Sequence, residues 1–363
     1  MKTVSFPLLT SLLFSINSAM ALDVPQKDNK ALHVIKWKIA HAPKEYFEHT
    51  AKEFKKRIER RTEGRVKVEI ESALFDKVNH DFQAQVDDVR SNKNQVSQVY
   101  LSQLYKVQPD FKVLNLPFLF KNNLHVDKVV DGKIGKELLA SMKDDKIEGL
   151  SYTYSGGFIN VVSVKPLEIV EDFKNLAYRA FSGEVNSLVQ SQMKTDVTNE
   201  YIKNKDGTYS YLTIDKMLER GLISAGDATS NDARWATSIP KNNQAKYLTK
   251  TEHFVLFTAL IINKEFISSL SQKDGEIVRS TAKEVSKIER DYVVRDGLKA
   301  EIELAKAGVS VSSFPQSERM KLKKRMVKEI YPIIESQVSK GLIIKVRDAY
   351  TPKVYKPRLI TEN

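Results

Sequence analysis

The sequence predicts an α/β protein built from two domains, and three observations carry that prediction. Near the N-terminus a strand (Val34–Ala40), a helix (Tyr46–Arg61) and a second strand (Val66–Ile70) follow one another through short loops. That order makes a βαβ unit. The chain has 363 residues, 41% of them hydrophobic, a length that favours two domains. Strand-like and helix-like stretches then keep alternating, the longest being a helical pattern from Gly275 to Ala307.

In the first strand Ile35, Trp37 and Ile39 share one face, and Lys36 and Lys38 the other. The first helix aligns Phe47, Ala51, Phe54 and Ile58 in one stripe. Gly64 suits a left-handed cap beyond its end. Val66, Val68 and Ile70 alternate with Lys67, Glu69 and Glu71. A helix is expected over Val78–Ser91, a strand over Gln95–Leu101, and core packing for most of the apolar run Val113–Phe120. Helices follow at Asn123–Val130 and Gly135–Asp144. Leu150–Tyr154 reads as a strand. Ser155-Gly156-Gly157 reads as a sharp turn, because two glycines permit positive φ, and Phe158–Val164 as the next strand.

Beyond it come a strand Asn175–Phe181, a helix Glu184–Met193 and an inserted polar loop Asn199–Tyr211 that turns at Lys205-Asp206-Gly207. A short helix from Thr213 to Gly221 precedes a strand Leu222–Ala225 and a polar run Gly226–Arg234. Phe254–Ile262 is apolar and β-rich. A last helix covers Ser317–Ser339, and Tyr350–Asn363, with Pro352 and Pro357, reads as an extended tail.

The first 21 residues read as a cleavable export signal. Lys2 is the positive start, Val4–Ile16 the apolar run, and Ala19-Met20-Ala21 the small-residue cleavage pattern before Leu22. The run is too short to span a bilayer. A periplasmic location for the mature chain follows. There is no cysteine, which excludes disulfides, thiol catalysis, thiolate metal sites and a lipid-anchored cysteine at the cleavage site. The formal charge is +12, but the lysines are spread along the chain. Lys321–Arg325 is the one basic run, and nucleic acid is not an expected partner. The six histidines show no ligand spacing, and neither G-x-S-x-G nor a P-loop occurs. No enzyme, metal or cofactor is expected.

Arg179 interrupts a strand that carries Leu176 and Tyr178. Its guanidinium is exposed, paired with a neighbouring acid, or aimed at a ligand. A planar fork of donors at a strand end suits a bidentate carboxylate. Tyr100 and Ser102 stand at another strand end, where open α/β sheets place ligands. Tyr154, Phe158 and Phe181 are cleft walls or core. His41, after the first strand, is similarly placed.

Several runs together resemble one family. They are RTEGRVKVEI (Arg61–Ile70), VLNLPFLFKN (Val113–Asn122), GKIGKELLASM (Gly132–Met142), GGFINVVSVKPL (Gly156–Leu167), DFKNLAYRA (Asp172–Ala180), LERGLISAGDA (Leu218–Ala228) and YLTKTEHFVLFTALIINKEFISSL (Tyr247–Leu270). In this order, over most of the mature chain, they resemble the DctP-like substrate-binding proteins of tripartite ATP-independent periplasmic (TRAP) transporters. The resemblance implies a two-lobed periplasmic binding protein fold with a long hinge-spanning helix, which Gly275–Ala307 would supply. It implies lobe I at 22–156 with roughly 255–290, lobe II at 157–254 with roughly 291–340, and a tail at 341–363.

It also implies a small organic acid held by Arg179 and delivery to membrane permease subunits; a monomer is expected. Two departures stand out. Many relatives carry a second Arg where this chain has Ile159, which points to a ligand with one carboxylate or a differently held second group. Relatives often read Asp-Gly where this chain has Ser224-Ala225, and the spacing to Tyr247 differs from the usual by a few residues, so Asp227, Ala228 and Asn231 are all candidates for the ligand-facing position. A ligand sensor of the same fold, an exported enzyme and an anionic-polymer binder are the alternative readings.

Overall fold

The computed structural model describes residues 33–39, 44–72, 82–198, 201–203, 209–237 and 244–350. The export-signal reading, His41, the Lys205-Asp206-Gly207 turn and the tail beyond Tyr350 lie outside them. The first elements are β1 (His33–Ile39), α1 (Lys44–Arg61) and β2 (Val66–Ser72). β1 and β2 pair in parallel, as the βαβ pattern requires. Ile35, Trp37 and Ile39 are buried, as are Phe47, Ala51, Phe54 and Ile58. α1 ends in a left-handed pair, Glu63 (φ 53°) and Gly64 (φ 80°).

Next come α2 (Phe82–Arg90), β3 (Val96–Tyr100), α3 (Asn123–Val130), α4 (Lys133–Ala140), β4 (Ile147–Phe158), β5 (Asn160–Ser163), β6 (Ala177–Arg179) and α5 (Glu184–Met193). They are followed by β7 (Asp196–Val197), β8 (Tyr201–Lys203), β9 (Tyr209–Tyr211), α6 (Ile214–Glu219), β10 (Ala225–Ala228), α7 (Asp232–Thr237), β11 (Tyr247–Lys250) and β12 (Val255–Asn263). The chain closes with α8 (Lys264–Ser269), α9 (Gln272–Lys306), β13 (Ser310–Ser313), α10 (Gln316–Glu335) and α11 (Leu342–Asp348). None of the described helices is long and apolar enough to cross a membrane.

Two sheets organise two lobes. One has the order β2-β1-β3-β12-β4 and the other β13-β11-β5-β10-β6-β7. The chain leaves the first sheet from β4 into β5 and returns from β11 into β12. Val161 and Val162, adjacent on β5, face different cores. Val161 joins the large core that fills lobe I and continues beneath the second sheet, and Val162 joins the smaller core on that sheet's other face. Alternate residues of a strand point to opposite faces, so one strand serves both cores.

The helix α9 connects the lobes. It packs on α1 and β4 and also on α7 and β13. Asp296 on α9 accepts from Tyr46 Oη of α1 at 3.0 Å and from Arg234 Nη1 of α7 at 3.1 Å. Near the middle of α9, Arg290 is 2% exposed and donates to Asp127, Asp131 and the Tyr152 carbonyl. Beside it Glu289 is fully buried and accepts from Tyr154 N at 2.9 Å. Burial pushes the Glu289 carboxyl up to about 8.

Four sequence expectations need correction. No turn breaks the chain at Ser155-Gly156-Gly157, because β4 runs through to Phe158 and the break falls at Ile159. Gly156 (φ 91°) and Gly157 (φ 80°) instead accommodate a register shift against Leu256 and Phe257 of β12. The strand expected at Leu222–Ala225 is Ala225–Ala228, because polar Asp227 is satisfied inside the fold. The stretch expected as a polar loop carries the antiparallel pair β8 and β9. Part of the stretch assigned to a tail is α11, where His125 Nε2 meets the Val346 carbonyl at 2.8 Å.

Gly156 has a second constraint. A Cβ there would overlap the Thr229 side chain on the loop after β10. Gly156→Ala therefore meets both backbone strain and a clash. It should lower stability by roughly 2–4 kcal/mol in urea unfolding. A loss within about 0.5 kcal/mol would mean that the bulge relaxes freely.

Candidate functional site

The two crossings between the sheets lie side by side. Ile159 N donates to the Phe254 carbonyl at 2.9 Å, and His253 N donates to the Ile159 carbonyl at 3.2 Å. Ile159, Phe254 and Leu256 form a small buried cluster at this seam. Tyr100 from the end of β3 and Phe181 from just beyond β6 pack onto it. The seam therefore collects side chains from both lobes.

Arg179 is the last residue of β6 and is 7% exposed. Its guanidinium carbon lies 4.5 Å from the centroid of the Phe181 ring, a cation–π arrangement. Across the sheet it faces Gly226 of β10. A Cβ at Gly226 would stand 2.9 Å from the Arg179 carbonyl oxygen and 3.2 Å from its Cβ, so the glycine lets the two strands approach. This places a delocalised cation beside an aromatic face at the seam of two lobes, which suits a planar anion.

Asp227, the next residue of β10, organises the segment that carries Arg179. The Tyr178 hydroxyl donates to its Oδ1 at 2.5 Å. Phe181 N and Gln190 Nε2 donate to its Oδ2 at 3.3 Å and 3.4 Å. His253 Nε2 lies 3.3 Å from Oδ1, while its Nδ1 is 2.7 Å from Thr251 Oγ1. Asp227 and His253 are both fully buried. One carboxylate thus ties β10 to β6, to Phe181 two residues beyond it and to α5, with His253 of the returning crossing beside it. Asp227→Asn keeps one acceptor oxygen and removes the other. It should cost about 2 kcal/mol in chemical unfolding, the usual penalty for stranded buried donors. Unchanged stability would mean that this network contributes little.

The remaining candidates divide. Ser102 Cβ would lie 3.6 Å from a Cβ on Gly183, so β3's end meets the loop before α5 across the lobes. Tyr100 Oη is 3.2 Å from Ser155 Oγ. Arg179, Phe181, Tyr100 and Ser102 are thus gathered at one seam. Tyr154 is 1% exposed and packs in the large core against Phe257, with ring centroids 5.7 Å apart. Phe158 is half-buried at the edge of that core. Asn231 Oδ1 accepts from Arg234 at 3.2 Å, and its Nδ2 lies 3.8 Å from where a Gly297 Cβ would stand on α9. Sequence reasoning did not single out Ile159 as a packing residue or His253 at all. His253 is a lone histidine ahead of an apolar strand, and its partner Asp227 sits in a different sheet. Among the described residues no group of acidic, histidine or cysteine side chains could hold a metal.

Comparison with known proteins follows the same outline. The chain is 25% identical over 261 residues to the 2,3-diketo-L-gulonate-binding periplasmic protein of Escherichia coli, covering 72% of this chain and 75% of that one. It is 26% identical over 267 residues to the C4-dicarboxylate-binding periplasmic protein of Rhodobacter capsulatus, covering 72% and 74%. Among solved structures, a TRAP periplasmic solute-binding protein from Shewanella oneidensis with bound succinate superposes with a TM-score of 0.73. It is 20% identical and covers 88% of this chain and 99% of that one. The family model for bacterial extracellular solute-binding proteins, family 7, matches residues 39–337. The chain therefore belongs to the DctP family of bacterial extracellular solute-binding proteins.

Proposed function

We propose that this chain is the periplasmic receptor of a TRAP-type transporter, capturing a small organic acid between its lobes and passing it to membrane permease subunits. The observation that carries the reading is Arg179, a nearly buried guanidinium stacked on Phe181 at the seam where β6, β3 and both crossings converge. Membership of a solute-binding family, not an enzyme family, supports it, as do relatives named as periplasmic binders of organic acids.

Residues 1–21 direct export and are removed, and the mature chain works as a monomer. The lobes divide as 22–156 with 255–290 and 157–254 with 291–340, and Ile159 and Phe254 mark the hinge crossings. Closure is a population shift biased by ligand contacts to both lobes, with Arg179 and Phe181 on one side and Tyr100 and Ser102 on the other.

A thermal-shift screen of the mature protein against mono- and dicarboxylates, keto acids and sugar acids tests the reading. A ligand at a hundred times its dissociation constant adds about 2.7 kcal/mol, a shift of several degrees at this size. One acid class should shift the wild type and not Arg179→Ala. No shift with any acid, or a shift that survives the substitution, overturns the proposal.

A further inference from the structure

The far end of lobe I carries a cavity that the seam does not use. It holds about 310 Å³ between α4, the first residues of β4, the start of α8 and the first half of α9. That is the size of a small-molecule site. Glu148 lines it near the start of β4, whereas Phe158 ends the same strand at the seam. At ~3.3 Å per residue the two places lie about 30 Å apart along the strand.

The charge of the cavity is one-sided. Lys136, Lys264 and Lys283 line it, with Glu148 as its acid. Arg279 holds the Glu148 carboxylate through Nε at 2.7 Å and Nη2 at 3.1 Å. Lys136 and Lys283 are exposed, and neither has an acidic partner among the described residues. Lys264 Nζ donates to the Asp144 carbonyl at 2.5 Å, which leaves two of its three N–H groups. The base is apolar and includes Leu139 and Met142. Gly149 lets both lie close on the strand, since a Cβ there would stand 2.5 Å from Leu139 Cδ2 and 2.9 Å from Met142 Sδ.

We propose that this cavity binds a phosphate monoester with a short apolar body. Lysine ammonium groups are point charges on flexible stems, and they gather on a compact dianion. A planar carboxylate is better matched by a guanidinium fork, and the fork of Arg279 is taken by Glu148. The body leaves water against Leu139 and Met142. The site stands apart from Arg179 and does not depend on the role of that residue.

Isothermal titration of the mature chain with octyl phosphate below its micelle concentration tests this. Inorganic phosphate supplies the head alone, and octyl glucoside the same tail on an uncharged head. Octyl phosphate should bind at least about tenfold more tightly than either, a ratio that burying two methylenes is enough to supply. Added salt should weaken it. Lys136→Ala combined with Lys283→Ala should cut its affinity about fivefold or more. Both lysines are exposed, so the double variant keeps its fold, which circular dichroism confirms. Arg179→Ala should bind octyl phosphate as the wild type does.

Equal binding of inorganic phosphate or of octyl glucoside overturns the ligand class. Affinity unchanged in the double lysine variant, or lost in Arg179→Ala, overturns the location. No binding of octyl phosphate to folded protein overturns the proposal outright, and the acid screen decides the reading of Arg179 separately.

Discussion

Replacing Arg179 by alanine is expected to weaken acid binding by about 30-fold to several thousand-fold. The figure follows from the roughly 2–5 kcal/mol lost when one partner of a desolvated, hydrogen-bonded charge pair is truncated. At 7% exposure, water cannot replace the missing donors well. Arg179→Lys should recover only part of the loss. A lysine supplies a point charge without the planar fork, and it stacks less well on Phe181. Isothermal titration against the best acid of the screen reads both variants, with circular dichroism confirming the fold. Equal affinity in wild type and Arg179→Ala would remove Arg179 from the site.

The second large effect is on pH-dependent stability and comes from Glu289. An ordinary glutamate ionises near 4.5, and burial on α9 moves this one to about 8. Between those values the folded chain keeps a proton that the unfolded chain has released. Stability from this group is therefore fully present below about 4.5 and falls as pH rises to about 8. The total loss is on the order of 4–5 kcal/mol. In Glu289→Gln the side-chain amide oxygen would still accept from Tyr154 N, and the amide does not titrate.

Urea unfolding at pH 5, 6, 7 and 8 should show the wild type losing stability relative to Glu289→Gln at every step, with the variant clearly the more stable at pH 8. The difference between the two proteins isolates this carboxyl from other titrating groups. Parallel curves would mean that Glu289 is ionised in the folded chain throughout.

Elements with a complete local pattern were legible in the sequence. β1, α1, β2 and α5 carry uninterrupted periodicity and lie where the pattern puts them. α9 extends three residues further back than expected, to Gln272, because Ser271 caps it by accepting from Asp274 N at 3.1 Å. The misreadings arise where local chemistry and tertiary context disagree. Gly156 and Gly157 carry the positive φ expected of a turn, but pairing with β12 keeps the strand going. Asp227 breaks the apolar run of β10, yet Tyr178, 49 positions away in sequence, satisfies it in the core.

The candidate site was legible to the same degree. A cation inside an apolar strand stands out by itself, and Tyr100 and Ser102 follow from their place at a strand end. That Arg179 stacks on Phe181, that Asp227 holds the segment bearing it, and that Tyr154 belongs to the core all depend on contacts between distant segments. No local periodicity encodes those contacts.

The most direct test of the central claim is a crystal structure of the mature chain grown with the acid that gives the largest thermal shift. One acid per chain is expected at the seam, its carboxylate on the Arg179 guanidinium and its body between Phe181 and Tyr100. An acid bound elsewhere, or one at the seam whose carboxylate turns away from Arg179, would contradict that claim.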